Sequence, residues 1–194
     1  MKKLTVADLG SLEQYLALRP TVRQAIIEHK KNRRVDLGAN ASLYFEDYMT
    51  MKYQVQEMMR AERLRDADAI QEEVDAYNPL IPDGTNLKAT FMLEFPDENE
   101  RRNKLAKLIE IEHRIWLRID GFPKVYGIAD EDLPRSTQEK TSAVHFLRFE
   151  FTAEMVDAAR QRVGWSLGCD HPQYAHEVTP LPENVASSLT RDFD

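Results

Sequence analysis

The densest grouping of reactive side chains is Gly168-Cys169-Asp170-His171-Pro172. A thiol, a carboxylate and an imidazole stand in consecutive positions. Together they can ligate a metal, or the thiol can act as a nucleophile. Side chains one or two positions apart rarely converge on one ion unaided, so a complete site needs donors from elsewhere. His145 and Glu150, on one apolar segment, are the candidates to supply them. The cofactor expected of such a set is iron, zinc or manganese. The plainer expectation is that Asp170 opens a turn, His171 precedes Pro172 in extended chain, and Cys169 is a small buried hydrophobe. His145 alternates with Leu147, Phe149 and Phe151. A histidine on such a face is usually a hydrogen-bonded core residue, although an apolar wall also shifts an imidazole toward use.

The densest basic run is His29-Lys30-Lys31-Asn32-Arg33-Arg34. His29, Lys30, Lys31, Arg33 and Arg34 are the candidates for docking an anion or a protein partner. Such a run can neutralise phosphates, but no aromatic residue interleaves it, and nucleic acid is not expected as a ligand. At the end of a helix it also complements the negative pole of the macrodipole. Glu110 and His113 form a Glu-x-x-His pair without the second copy that a di-iron bundle needs. The acidic runs Asp130-Glu131-Asp132 and Glu46-Asp47 read as solvated turns, and Met49, Met51, Met58 and Met59 as core filling. The fingerprints GxxxxGK[ST], GxGxxG, HExxH and CxxC are all missing.

The elements that must position these residues follow from periodicity. Residues 6–19 and 20–31 read as two helices, the second starting at Pro20. Residues 33–37 and 42–46 form a hairpin around Gly38-Ala39-Asn40, and 48–64 and 66–77 are helices. Residues 78–84, with two prolines and a Pro-Asp-Gly turn, break the chain. Beyond the break the pattern is strand-rich. Residues 87–95 alternate strictly; Asp97 starts a helix with Leu105, Leu108 and Ile109 as its buried stripe. Residues 114–119 and 124–129 pair as a hairpin, 142–151 form a central strand, 152–163 a helix, 165–169 a last strand and 182–189 a terminal helix. The expected fold is α+β: one antiparallel sheet of about four to six strands with helices on one face, after a helical N-terminal part. The 194 residues are expected to form one domain.

A composition of 42% hydrophobic and 30% charged residues, with a net charge of −7, is that of a folded globular chain rather than a disordered one. Charge is uneven. Eight basic and three acidic side chains give residues 1–34 a charge of +5, while the remaining 160 residues carry 18 and 30, or −12. One cysteine excludes an internal disulfide, and charges interrupt every apolar run well before the ~18 residues of a membrane span. The cytoplasm is the expected compartment.

Six stretches together resemble the DUF3501 family, bacterial proteins of unknown function. They are residues 29–34 (HKKNRR), 53–58 (YQVQEM), 71–84 (QEEVDAYNPLIPDG), 86–90 (NLKAT), 140–150 (KTSAVHFLRFE) and 170–174 (DHPQY). The resemblance brings no catalytic residues with it. It implies a place beside rubrerythrin and an iron–sulfur oxidoreductase, and so a role near peroxide defence or iron redox chemistry. On this reading the protein is an accessory or binding protein for a redox partner, not itself an enzyme. The alternatives are metal binding or metal-dependent catalysis through His145 and His171, and phosphate or nucleic-acid binding through residues 29–34.

Overall fold

Helix starts are written locally, by short polar side chains that satisfy the first free backbone N–H groups. In the computed structural model, which describes residues 2–161 and 164–194, Ser11 accepts from Gln14 N ahead of helix α2 (Leu12–Lys31), and Asp47 from Thr50 N ahead of α3 (Tyr48–Glu62). Asp66 does the same for α4 (Ala67–Tyr77), and Asp97 for α5 (Glu98–Lys107). The short α1 (Val6–Leu9) precedes α2. Pro20 does not start a helix, contrary to the sequence expectation. It lies inside α2 on the exposed face, where water can take the carbonyl that its missing N–H leaves unpaired. Helices α1, α3 and α4 bury Leu9, Met51, Val55, Met59, Ile70 and Val74 in an apolar cluster of their own, which α2 joins through Leu12.

The alternating segments form two antiparallel sheets rather than the single one expected. The first has the order β1 (Arg34–Asp36), β2 (Ala41–Glu46), β3 (Asn86–Leu93), β7 (Val144–Glu150), β6 (Ile128–Ala129). The second runs β5 (Val125–Tyr126), β4 (Ile115–Ile119), β8 (Trp165–His171), β9 (Tyr174–Val178). The expected hairpin of residues 114–119 with 124–129 holds only as far as Tyr126, which pairs with Trp116. At Gly127 the chain leaves the second sheet, and Ile128 pairs with Arg148 in the first. Residues 174–178 add a strand that the sequence reading did not include.

The two sheets share one core. Leu87, Ala89, Phe91, Leu147 and Phe149 from the first meet Ile115, Leu117, Leu167 and Cys169 from the second. Helices α5, α6 (Ala153–Arg160) and α7 (Glu183–Leu189) close it with Leu105, Met155 and Leu189. The expected continuation of α6 to Val163 falls partly outside the described residues. On the far face of the second sheet, Trp116 lies against Gly168, its register partner; a Cβ there would come within 2.3 Å of the indole. No described helix is long and apolar enough to cross a membrane.

Candidate functional site

β7 has a period of two, so His145, Leu147 and Phe149 face the core while Phe146, Arg148 and Glu150 face the other way. His145 is fully buried and stacks with Phe91, its register partner on β3, at 6.3 Å. An imidazole placed there needs polar partners, and three segments bring them. Asp130, just after β6, puts Oδ2 2.6 Å from His145 Nδ1. Thr141 Oγ1 lies 2.8 Å from Nε2, and the Ser142 carbonyl 3.1 Å from it. Glu112 arrives from the 3₁₀ turn Ile111–Arg114, with Oε2 3.8 Å from Nε2.

The carboxylates are held in turn. Glu112 accepts from Ser136 Oγ and, at 3.1 Å, from Thr141 Oγ1. Asp130 Oδ1 accepts from the Phe146 N–H at 3.0 Å and from Arg135 Nη1 at 3.2 Å. Both carboxylate-bearing segments carry a left-handed backbone: Asp130 has φ 51°, and Glu110, at the entry to the 3₁₀ turn, φ 67°. Non-glycine residues in this region concentrate where a site over-determines the backbone. Among the described residues, Glu112, Asp130 and His145 are the one set of three His, Cys, Asp or Glu residues whose ligand atoms all lie within 4.8 Å of one another.

Asp130, His145 and Thr141 are also ordered like an acid–base–hydroxyl relay. With Thr141 at 1% exposure and His145 at 0%, no substrate reaches that hydroxyl in this arrangement.

The other residues singled out in the sequence do not join His145. Glu150 faces away and accepts from Thr85, Asn86 and Arg148. Asp170 lies on the outer face of β8 and accepts from Trp116 Nε1 at 2.9 Å, Lys124 Nζ at 3.0 Å and Tyr126 OH at 2.6 Å. Cys169 and His171 take the inner face of the same strand. Burial pushes the Cys169 thiol up to about 11, which keeps it protonated. The His171 ring is fixed at both ends: Nε2 is 3.1 Å from the Ile109 carbonyl, and Nδ1 accepts from Gln173 N. Glu110 and His113, both exposed, contribute nothing to the cluster; the residue that does is Glu112, between them.

The basic run is likewise divided. Arg33 is only 2% exposed. It donates to the Phe45 and Glu46 carbonyls, to Ser188 and to Asp192, and lies 3.4 Å from Asp47, which also meets His29 Nε2 at 2.6 Å. Lys31 and Arg34 are exposed, with Lys30 half-buried beside them. A docking surface built on this run therefore lacks Arg33, whose charge is used inside.

Glu112 and Asp130 are the site residues the sequence reading did not select. Asp130 belonged to an acidic run that looked like a solvated turn, and its neighbours Glu131 and Asp132 are exposed as such a turn would be. Glu112 had one local signal, its place among apolar residues at Ile111 and Ile115.

Fold and site define a class: an α+β protein with two antiparallel sheets around a shared core and a buried histidine–carboxylate cluster at the edge of the first sheet. The family model "Protein of unknown function (DUF3501)" matches residues 3–193, and the chain belongs to that family. A crystal structure at 1.90 Å resolution of a "novel protein of unknown function" from Burkholderia pseudomallei K96243 is similar throughout. It is 47% identical, covers 100% of both chains and superposes with a TM-score of 0.94. No curated protein matches the chain.

Proposed function

We propose that this protein binds one divalent cation, of the iron, zinc and manganese group, at His145 Nε2 and Glu112, with Asp130 holding the ring from Nδ1. The observation that carries the reading is the approach of Glu112 Oε2 to His145 Nε2, inside a cluster whose three ligand atoms lie within 4.8 Å of one another. Imidazole nitrogen and carboxylate oxygen suit these borderline ions, and thiolate is not required. The spacing fits. Metal–ligand bonds of about 2.0–2.2 Å let donors up to about 4 Å apart share an ion, and His145 Nε2 stands 3.8 Å from Glu112 Oε2. Thr141 Oγ1 and the Ser142 carbonyl face the same nitrogen. Asp130 on Nδ1 would fix the ring, the role that a carboxylate plays behind most metal-bound histidines.

Protein purified without a polyhistidine tag or chelator should carry close to one equivalent of such a metal, or take up one equivalent of zinc in a competition titration. Glu112→Gln and His145→Ala should each lose it. Metal-free wild-type protein that is folded and takes up no zinc would overturn the proposal and leave the cluster a structural network. The redox-partner reading implied by family resemblance would dock through Lys30, Lys31 and Arg34. It has support only from that resemblance, since the descriptions of the family and of the related crystal structure name no partner.

A further inference from the structure

The face of the first sheet opposite His145 holds a cavity of about 320 Å³. Its floor is Lys88 of β3 with Phe146 and Arg148 of β7. Its far wall is Tyr77, at the end of α4, with Pro79 and Leu80. The proline-rich break in the sequence is thus a rim and not only a connector.

Lys88 and Arg148 are direct register partners across β3 and β7. Two cations so placed repel unless each is neutralised. Arg148 is neutralised: Nε and Nη2 each meet Glu131 at 2.8 Å, and Nη1 meets Glu150 at 2.6 Å. Lys88 is not. Its Nζ makes no hydrogen bond among the described residues, and the carboxylate paired with it, Asp83, stands 3.7 Å away and is itself held by Lys3 at 2.6 Å. The Lys88 side chain is 11% exposed. Burial lowers its pKa, with the Arg148 and Lys3 charges adding in the same direction against the pull of Asp83 and Glu131. An ammonium that is desolvated, donates no hydrogen bond and stands at a cavity wall, with its nearest carboxylate 3.7 Å away and shared with Lys3, keeps its donors free for a ligand.

We infer that this cavity binds a small organic monoanion, a carboxylate on a compact apolar body. Lys88 takes the charge, and Tyr77, Leu80 and Phe146 take the body. The volume stands at the lower end of ligand pockets, which run from ~300 Å³ upward. One ammonium with unused hydrogen-bond donors suits one carboxylate. Glu131 and Asp132, which also line the cavity, repel nucleotides and other polyanions. They do not invite a cationic ligand either, because Glu131 is engaged by Arg148, and Asp132 by Arg135 at 2.5 and 2.6 Å. The inference is independent of the metal reading, since consecutive residues of β7 face opposite ways.

The test is calorimetric titration of the full chain with benzoate and 3-methylbutanoate, with benzamide and inorganic phosphate as controls. Saturable binding of at least one carboxylate is expected, with benzamide and phosphate roughly tenfold weaker or worse, the scale of one hydrogen bond to a charged group. Lys88→Met keeps the apolar stem and should weaken the carboxylate by a similar factor. Leu80→Trp, which fills the cavity from its rim, should abolish binding without touching the charge. Absence of saturable binding by either carboxylate, benzamide binding as tight as benzoate, or a folded Lys88→Met variant of unchanged affinity would each overturn the inference.

Discussion

Asp130 Oδ2 and His145 Nδ1 lie 2.6 Å apart, although the residues are fifteen positions apart in the chain and belong to different strands' ends. The contact ties the loop after β6 to the core face of β7. Replacing Asp130 by Asn keeps the shape and removes the charge that orients the ring. Zinc affinity, measured by competition with a chromogenic chelator, should fall about 10–100-fold, as it does when the carboxylate hydrogen-bonded to a metal-bound histidine is lost.

Thr141 Oγ1 contacts His145, Glu112 and Ser136 at 2.8–3.1 Å. Thr141→Val preserves volume and branching but leaves buried partners short of a hydrogen bond. Urea unfolding of the metal-free protein should show a loss of about 1–3 kcal/mol. A change within the error of the measurement would mean that the network is not closed through this hydroxyl.

Arg33 and Asp192 join the start of the first sheet to the C-terminal segment inside the protein. Burial pushes the Asp192 carboxyl up to about 6, with Arg33 pulling against it. Arg33→Met strands that carboxylate, and stability at neutral pH should fall by about 3–5 kcal/mol. The sign of the pH effect follows from the raised value. Folded protein holds the proton more tightly than unfolded protein, so the stability linked to this group is full below about pH 4 and is lost as pH rises through about 6. The variant should therefore be less impaired at pH 5 than at pH 7.5, and an equal deficit at both would count against the assignment.

Glu57 on α3 takes two hydrogen bonds from Arg19 on α2, at 2.7 and 2.9 Å, and one from the Tyr15 hydroxyl. Hydrogen bonding by Arg19 holds its carboxyl well below the usual range, at about 2. A depressed carboxyl stabilises above its unfolded value and loses that contribution as pH falls from about 4.5 toward 2. Wild-type melting temperature should drop over that interval, and Glu57→Gln should flatten the drop.

Cys169 is 2% exposed, with its thiol pushed up to about 11 by burial. Reactivity follows the thiolate and its access. A thiol reagent such as DTNB at pH 8 should leave native protein almost untouched and titrate one group at full rate only in denaturant. Rapid reaction of the native protein would show that the core around β8 opens.

Much of the architecture was legible because it is local. Alternation at residues 87–95 and 142–151 marked the two central strands of the first sheet. Asp97 and Thr152 marked helix starts, since a cap needs only a neighbouring N–H. The same period of two already separates His145 from Glu150, five positions on, and Asp170 from Cys169 and His171. The order of helical and alternating segments gave the α+β class, and six stretches gave the family. What the sequence left open was partnership across distance. The choice of Glu112 and Asp130 for His145, the withdrawal of Arg33 from the basic run, and the change of sheet at Gly127 depend on strand register and on loop paths. These are fixed by how two apolar faces close on one core, so the tertiary structure decides which buried charges meet and which are left facing a cavity.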